Sequence, residues 1–183
     1  MRALTAFPRA RPGEESTPPA LHERALAWRS ASDADLPFLR ELYAHTRADE
    51  LAHVPWPEAI KRNFLDDQFA LQHHHFVTHY SGADFLLIEH GGLPIGRLYA
   101  MRQPAQAYSV VDIALLPEWR GRGIGAALIR HLQQEASAAG QPLLLQVSVY
   151  NPAARRLYER LGFVYDGEEG AHQHMRWCGE AVS

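Results

Sequence analysis

The segment Pro117-Glu118-Trp119-Arg120-Gly121-Arg122-Gly123-Ile124-Gly125 sets three glycines at alternate positions directly ahead of a stretch with helical periodicity. Glycine has no side chain to hold a bulky anion away from the backbone. The first turn of the following helix offers unpaired N–H groups and the positive end of the helix dipole. The chemistry is that of an anion cradle, suited to a phosphate or pyrophosphate. A glycine-rich turn can also be only a tight connection, so its surroundings decide. Gly121-x-Gly123-x-x-Ala126 formally matches a dinucleotide fingerprint, but that fold needs the glycines directly after a strand and an acidic residue about 20 positions on. Here Pro117 to Arg120 intervene, and the next strand offers Gln146 and no carboxylate. A nucleotide phosphate loop needs Gly-Lys-Ser/Thr, which the sequence lacks.

The elements that must position this loop follow from pattern. Val110 to Leu116 is an aliphatic run broken only by Asp112, as expected of a strand buried on both faces. From Gly123 to about Ala138, Ile124, Leu128 and Leu132 recur four apart, and Gly140 ends the helix. Leu143 to Val149 reads as a buried strand. Asn151 then caps a helix that starts at Pro152 and stops at Gly162. Upstream, Ala25 to Arg29 reads as a strand, and Ser32 and Asp33 offer the cap of a helix carrying Leu36, Leu39 and Tyr43 on one face. Pro57 starts a second helix with Ile60, Phe64 and Phe69 as its inward stripe. Asp84 to His90 and Ile95 to Met101 flank Gly91-Gly92 as a hairpin. Strands near Phe163 to Tyr165 and His172 to Trp177 close the chain.

Two motifs carry a resemblance to a known family. Asp112 to Gly125 contains an Arg-x-x-Gly-x-Gly loop at Arg120, Gly123 and Gly125, and Asn151-Pro152-Ala153-Ala154-Arg155-Arg156-Leu157-Tyr158-Glu159-Arg160-Leu161-Gly162-Phe163 follows at the family's usual distance. The sequence resembles the acyl-CoA-binding core of the GNAT superfamily of N-acetyltransferases. The resemblance implies an α/β fold of α+β type: a mostly antiparallel mixed sheet, splayed at the acyl-CoA site and flanked by helices. It implies acetyl-CoA as cosubstrate, its pyrophosphate on backbone amides of Arg120, Gly121, Arg122, Gly123, Ile124, Gly125 and Ala126, and its pantetheine beside Ile113, Ala114 and Leu115. Asn151 would touch the cofactor or cap its helix, and Tyr158 would protonate the leaving thiolate. Metal ligands are not implied.

Direct attack in a ternary complex also needs a proton acceptor for the primary amine. Some relatives carry a glutamate at positions that correspond to Ser109 and Gln146, and neither residue can act as a base. Asp112 is the nearest carboxylate; a base and a partner for backbone or an arginine are both open roles for it. Tyr43, Glu50, Trp56 and Phe64 are the candidate lining of the acceptor side. His73, His74 and His75 spread around a predicted helix and cannot converge on one ion. His75 and His79 share a face, as do His172 and His174 on a strand, but two ligands alone make a weak zinc site; His174 as a proton relay is open.

Composition bounds the rest. The 183 residues, 46% apolar and 21% charged, fit one globular domain. A net charge of −3 argues against a general nucleic-acid binder. Cys178 is the only cysteine, which excludes an internal disulfide and points to a reducing compartment. No run approaches the ~18 apolar residues of a membrane span, and the proline-broken start carries no signal core, so the cytoplasm is expected. Residues 1–24, rich in proline and polar residues, read as a disordered tail, and 25–183 as one acetyltransferase domain. Two other classes stay open: a non-catalytic acyl-CoA-binding or regulatory module, and, third, a dinucleotide-binding protein. A homodimer is also left open.

Overall fold

The computed structural model describes residues 4–10, 17–103 and 105–179. The elements run α1 Pro19–His22, β1 Leu26–Ser30, a 3-10 turn Asp33–Asp35, α2 Leu36–Ala52, α3 Glu58–His79, β2 Asp84–His90, β3 Leu93–Arg102 and β4 Tyr108–Leu115. A second 3-10 turn, Pro117–Trp119, leads to α4 Ile124–Ala138, β5 Leu143–Ser148, α5 Pro152–Arg160, β6 Val164–Glu169 and β7 His172–Trp177. One seven-stranded sheet has the order β1-β2-β3-β4-β5-β7-β6. Every neighbouring pair is antiparallel except β4 and β5. This is the mixed, mostly antiparallel α/β sheet expected from the sequence.

Alternation along the strands divides the core into two layers. On β2, Leu86 and Ile88 face one way and pack with Leu98, Val110, Leu21 of α1, Ile124, Leu128 and Leu132 of α4 and Tyr158 of α5. Phe85 and Leu87 face the other way, against Leu39, Leu42 and Tyr43 of α2 and Phe69 of α3. Helices therefore cover both faces of the sheet, with α1, α4 and α5 on one side and α2 and α3 on the other. The i, i+4 spacing of Ile124, Leu128 and Leu132 does what its periodicity predicts, since all three are buried. No helix among the described residues is long and apolar enough to cross a membrane.

Three expectations need correction. The stretch read as a disordered tail is anchored at single residues: Leu21 is fully buried, and the Phe7 ring makes edge contacts with His73 and Phe85. Composition averages over proline and polar residues and misses single anchors of this kind; residues 1–3 and 11–16 of that stretch lie outside the described residues. On α3 the inward residues are Phe69 and His73, whereas Ile60 is 50% exposed. The first turns of this 22-residue helix contribute no buried residue, so its buried stripe begins later than the sequence pattern implied. Finally, β5 ends at Ser148, and Val149 is exposed.

Candidate active site

The parallel strands β4 and β5 pair at only three positions: Tyr108 with Leu143, Ser109 with Leu144 and Val110 with Leu145. Beyond these, β4 runs on to Leu115 and β5 to Ser148 without pairing to each other. The sheet is therefore split from Val111 onward, and the facing backbone N–H and C=O groups are left for an extended ligand to pair with. A cavity of about 870 Å³ lies along the split. Ile113 and Leu115 of β4, the loop at Arg120, Gly121 and Gly123, the first turns of α4, and Ala153, Ala154, Leu157 and Tyr158 of α5 line it.

The loop reaches this cavity in left-handed backbone, with φ of +71° at Gly121 and +76° at Gly123. The first bond closed from α4 runs from Ala127 N to Gly123 O at 3.0 Å. The N–H groups of Gly123, Ile124, Gly125 and Ala126 precede that ladder and have no carbonyl within the helix. The Arg120 side chain is engaged elsewhere: its Nε donates to Leu115 O at 2.9 Å and its Nη2 to His45 O at 3.5 Å, tying the strand end to α2. Arg122 lies over the Trp119 ring at 4.9 Å. Ala114 faces the α2/α3 layer, away from the cavity. Asn151 Oδ1 accepts from Ala154 N at 3.1 Å, the helix-capping role.

Tyr158 is buried at the cavity wall against Phe163. Burial, and secondarily the charge of Asp112, push its phenol up to about 12, so it stays protonated at neutral pH. Asp112 lies on the part of β4 that does not pair with β5, and a backbone irregularity sets which face it takes. Tyr99 pairs with Asp112 but Ala100 pairs with Val110, which makes Val111 an extra residue on β4. Such a bulge reverses the alternation that follows it. Val110 packs toward α4, while Asp112 turns to the opposite face, the α2/α3 side, with Tyr99.

There Asp112 Oδ2 accepts from Arg97 Nε at 2.6 Å, and Arg97 Nη2 donates to Gln72 Oε1 at 2.8 Å. The Arg97 side chain is 3% exposed and lies over the Tyr99 and Phe76 rings. Burial disfavours its charge most strongly, but Asp112, with a further contribution from Tyr99, offsets this and holds its pKa above the usual value. Sequence reading missed Arg97 and Gln72. The available signal was one charged residue inside the apolar run Ile95 to Met101. Gln146, the first residue of β5 past the pairing with β4, is exposed and sits in register with His174 of β7. Leu145 and Val147 pack toward α4, so Gln146 and His174 share the face of Asp112.

The four residues expected to line the acceptor side do not line this cavity. Tyr43 is a core residue, packed on Phe69 with its hydroxyl accepting from Arg47 Nη1 at 2.9 Å. Glu50 accepts from Arg47 Nε at 2.7 Å. Trp56, 43% exposed, meets the Phe64 ring edge to face. All four belong to the α2/α3 side of the sheet, opposite the cavity.

The chain belongs to the acetyltransferase (GNAT) family, whose model matches residues 38–163. It is 37% identical over 109 residues to the N-alpha-acetyltransferase RimI of Mycobacterium tuberculosis, a match covering 60% of this chain and 61% of the relative. It is also 37% identical over 95 residues to the 5-NmdU N-acetyltransferase of Pseudomonas phage PaMx11, covering 49% and 66%. The chain thus spans a little under two thirds of each of these curated relatives. In fold it is similar to the PaiA N-acetyltransferase of Thermoplasma acidophilum solved with coenzyme A, with a TM-score of 0.63 and 17% identity, covering 84% of this chain and 98% of that one.

Proposed function

We propose that this chain is an acetyl-CoA-dependent N-acetyltransferase, which moves an acetyl group to a primary amine by direct attack in a ternary complex. The observation that carries the reading is the split between β4 and β5, set between the orphan amides at the start of α4 and the protonated Tyr158. Two of the relatives are named as N-acetyltransferases, which supports nitrogen as the accepting atom. Acetyl-CoA supplies an activated acetyl thioester. The amides of Gly123 to Ala126 hold its phosphates, and the free edge of β4 near Leu115 donates to the thioester carbonyl, where negative charge develops. Tyr158 O–H gives its proton to the departing sulfur as the C–S bond breaks and the C–N bond forms. The amine reaches the split from the α2/α3 face, where Asp112, held by Arg97, presents a carboxylate toward an ammonium. The proton shed by the nitrogen leaves on that face, through Asp112 or water, to solvent. The cytoplasm is the proposed compartment.

The second reading, an acyl-CoA-binding module without turnover, draws on Gln146 and Ser109, which stand where some relatives carry a glutamate base. One experiment separates the two. The full chain is titrated with acetyl-CoA, CoA and NAD, and thiol release is then followed over a panel of primary amines. Binding of both CoA species with amine-dependent thiol release supports the transferase. Binding without release for every amine supports the module, and a response only to NAD overturns both.

A further inference from the structure

We propose that Arg24 is a cofactor-binding residue supplied by the N-terminal segment, placing a positive charge beside the glycine loop for the pyrophosphate of the acyl-CoA. The inference rests on the acyl-CoA reading above. Arg24 lies outside the stretch matched to the family, which begins at residue 38, and it belongs to the segment whose composition implied no structure.

That segment is fixed at both ends. Leu21 of α1 is fully buried in the core layer of α4, and Thr17 Oγ1 accepts from Trp28 N of β1 at 3.1 Å. Between these anchors the backbone turns through Arg24 N to Leu21 O at 3.0 Å and Ala25 N to His22 O at 2.9 Å. Ala25 then takes φ +54°, the only positive φ at a non-glycine position among the described residues. An alanine adopts left-handed backbone only when its surroundings impose it, and such strain gathers at functional positions. Its effect here is to send the chain into β1 while Arg24 points at the loop.

The Arg24 guanidinium donates from Nη1 to Arg122 O at 3.3 Å. Its Nη1 and Nη2 lie 3.6 and 3.9 Å from the point where a Cβ on Gly123 would stand. A guanidinium has five N–H donors and fits phosphate in a two-pronged fashion. One donor is used on Arg122 O, and among the described residues no carboxylate forms an ion pair with Arg24. The two arginines of the loop are engaged differently: Arg120 is spent on the carbonyls of Leu115 and His45, and Arg122 on the Trp119 ring. Arg120, Arg130 and Arg160 also line the cavity, and Arg24 is the arginine whose guanidinium stands beside Gly123, at the start of the orphan amides.

The alternative is a mere brace on the Arg122 carbonyl, and the substitutions separate the two. Arg24→Gln keeps a donor and removes the charge, while Arg24→Lys keeps the charge. Arg24 is exposed, so neither change disturbs the core. Dissociation constants of the full chain for CoA and for 3′-dephospho-CoA are measured by calorimetry at low and moderate salt. The expected result is that Arg24→Gln weakens both ligands by the same factor, about tenfold at low salt. Arg24→Lys recovers most of that loss, and the salt dependence is shallower in Arg24→Gln than in the unaltered chain. Unchanged CoA affinity in Arg24→Gln overturns the proposal, as does Arg24→Lys binding as weakly as Arg24→Gln. A loss confined to CoA and absent for 3′-dephospho-CoA overturns the pyrophosphate assignment. Failure of the unaltered chain to bind either ligand overturns the acyl-CoA reading itself, a result distinct from the others.

Discussion

The Asp112 carboxylate, on the α2/α3 face of β4, is bound to the buried Arg97 guanidinium through a 2.6 Å hydrogen bond from Nε. The two residues come from neighbouring strands and meet because the extra residue Val111 turns Asp112 to the Arg97 face. Arg97 in turn reaches Gln72 on α3. The carboxylate is thereby tied to the helix layer through which the acceptor is proposed to enter.

Removing one partner of this pair leaves a charge buried without compensation. Asp112→Asn is expected to destabilise the fold by about 3 to 5 kcal/mol, the range for breaking a buried pair. The double variant Asp112→Asn with Arg97→Met should recover part of that loss, because no isolated guanidinium remains. Urea unfolding of the unaltered chain, Asp112→Asn, Arg97→Met and the double variant checks both statements. Additive losses in the double variant would show that the two side chains do not interact energetically.

Tyr158→Phe removes the proposed acid and keeps the ring that packs on Phe163. Turnover should fall by about 10² to 10⁴, with CoA affinity within about threefold of the unaltered chain. Because the phenol titrates only near about 12, it adds no alkaline limb to kcat between neutrality and about pH 10. A phenylalanine variant with full turnover would remove Tyr158 from the chemistry.

Much of the fold was legible because its signals are local. The glycine loop, the Asn151-Pro152 helix start and the apolar repeat of α4 each reveal their element within a few residues. The orientation of Asp112 was not legible. Strict alternation would turn it to the same side as Val110, and only the pairing with β3 shows that Val111 is extra. The packing of Tyr43 on Phe69 was not legible for a related reason: an aromatic on a helix face reads alike whether it lines a cleft or fills the core. The N-terminal anchors were hidden in another way, since Leu21 and Phe7 are single apolar residues amid prolines, and burial of one side chain leaves no period to detect.

His73 gives the fold a dependence on pH. Its ring stacks on Phe69, meets Phe7 edge on, and hydrogen-bonds through Nε2 to Thr5 O at 2.6 Å. Burial lowers its pKa most strongly. The Thr5 bond and Asp33 oppose that shift, while Arg97 and His74 add to it, and the net result lies below the usual 6.5. Above 6.5 the residue is neutral in both folded and unfolded chains and its contribution is intact. As pH falls below 6.5 the unfolded chain takes up a proton that the folded chain resists, and stability drops by at most about 1.4 kcal/mol per pH unit until the folded value is passed. His73→Phe should flatten this dependence below about pH 6.5. Asp35, Glu41 and Glu135 have lowered values, and their contributions are lost only further into acid, below 3.8 for Asp35 and 4.5 for the glutamates. Unfolding free energies measured across pH 5 to about 8 decide the matter, and an unchanged slope in His73→Phe would assign the acid sensitivity to other groups.

Gly96 and Gly123 differ in what a methyl group would meet, and so their alanine variants should fail differently. At Gly96, on β3 opposite Leu115, a Cβ would collide with the Ala114 carbonyl oxygen and stand 2.6 Å from Leu115 Cδ2. Backbone cannot yield there without moving Leu115, which lines the cavity and whose carbonyl receives Arg120. Gly96→Ala is expected to lose about 1 to 3 kcal/mol of stability by overpacking, and to weaken CoA binding as the β4 end shifts. At Gly123 there is room, with the nearest atom at 3.6 Å, but φ is +76°. An alanine there costs about 1 to 2 kcal/mol in backbone energy and, if the loop relaxes to avoid that strain, it turns the first amides of α4 out of the cradle. The ratio of lost affinity to lost stability should therefore be larger for Gly123→Ala than for Gly96→Ala. Urea unfolding paired with CoA titration of the two variants measures that ratio, and the reverse order would mean that the β4 end, not the loop backbone, dominates cofactor binding.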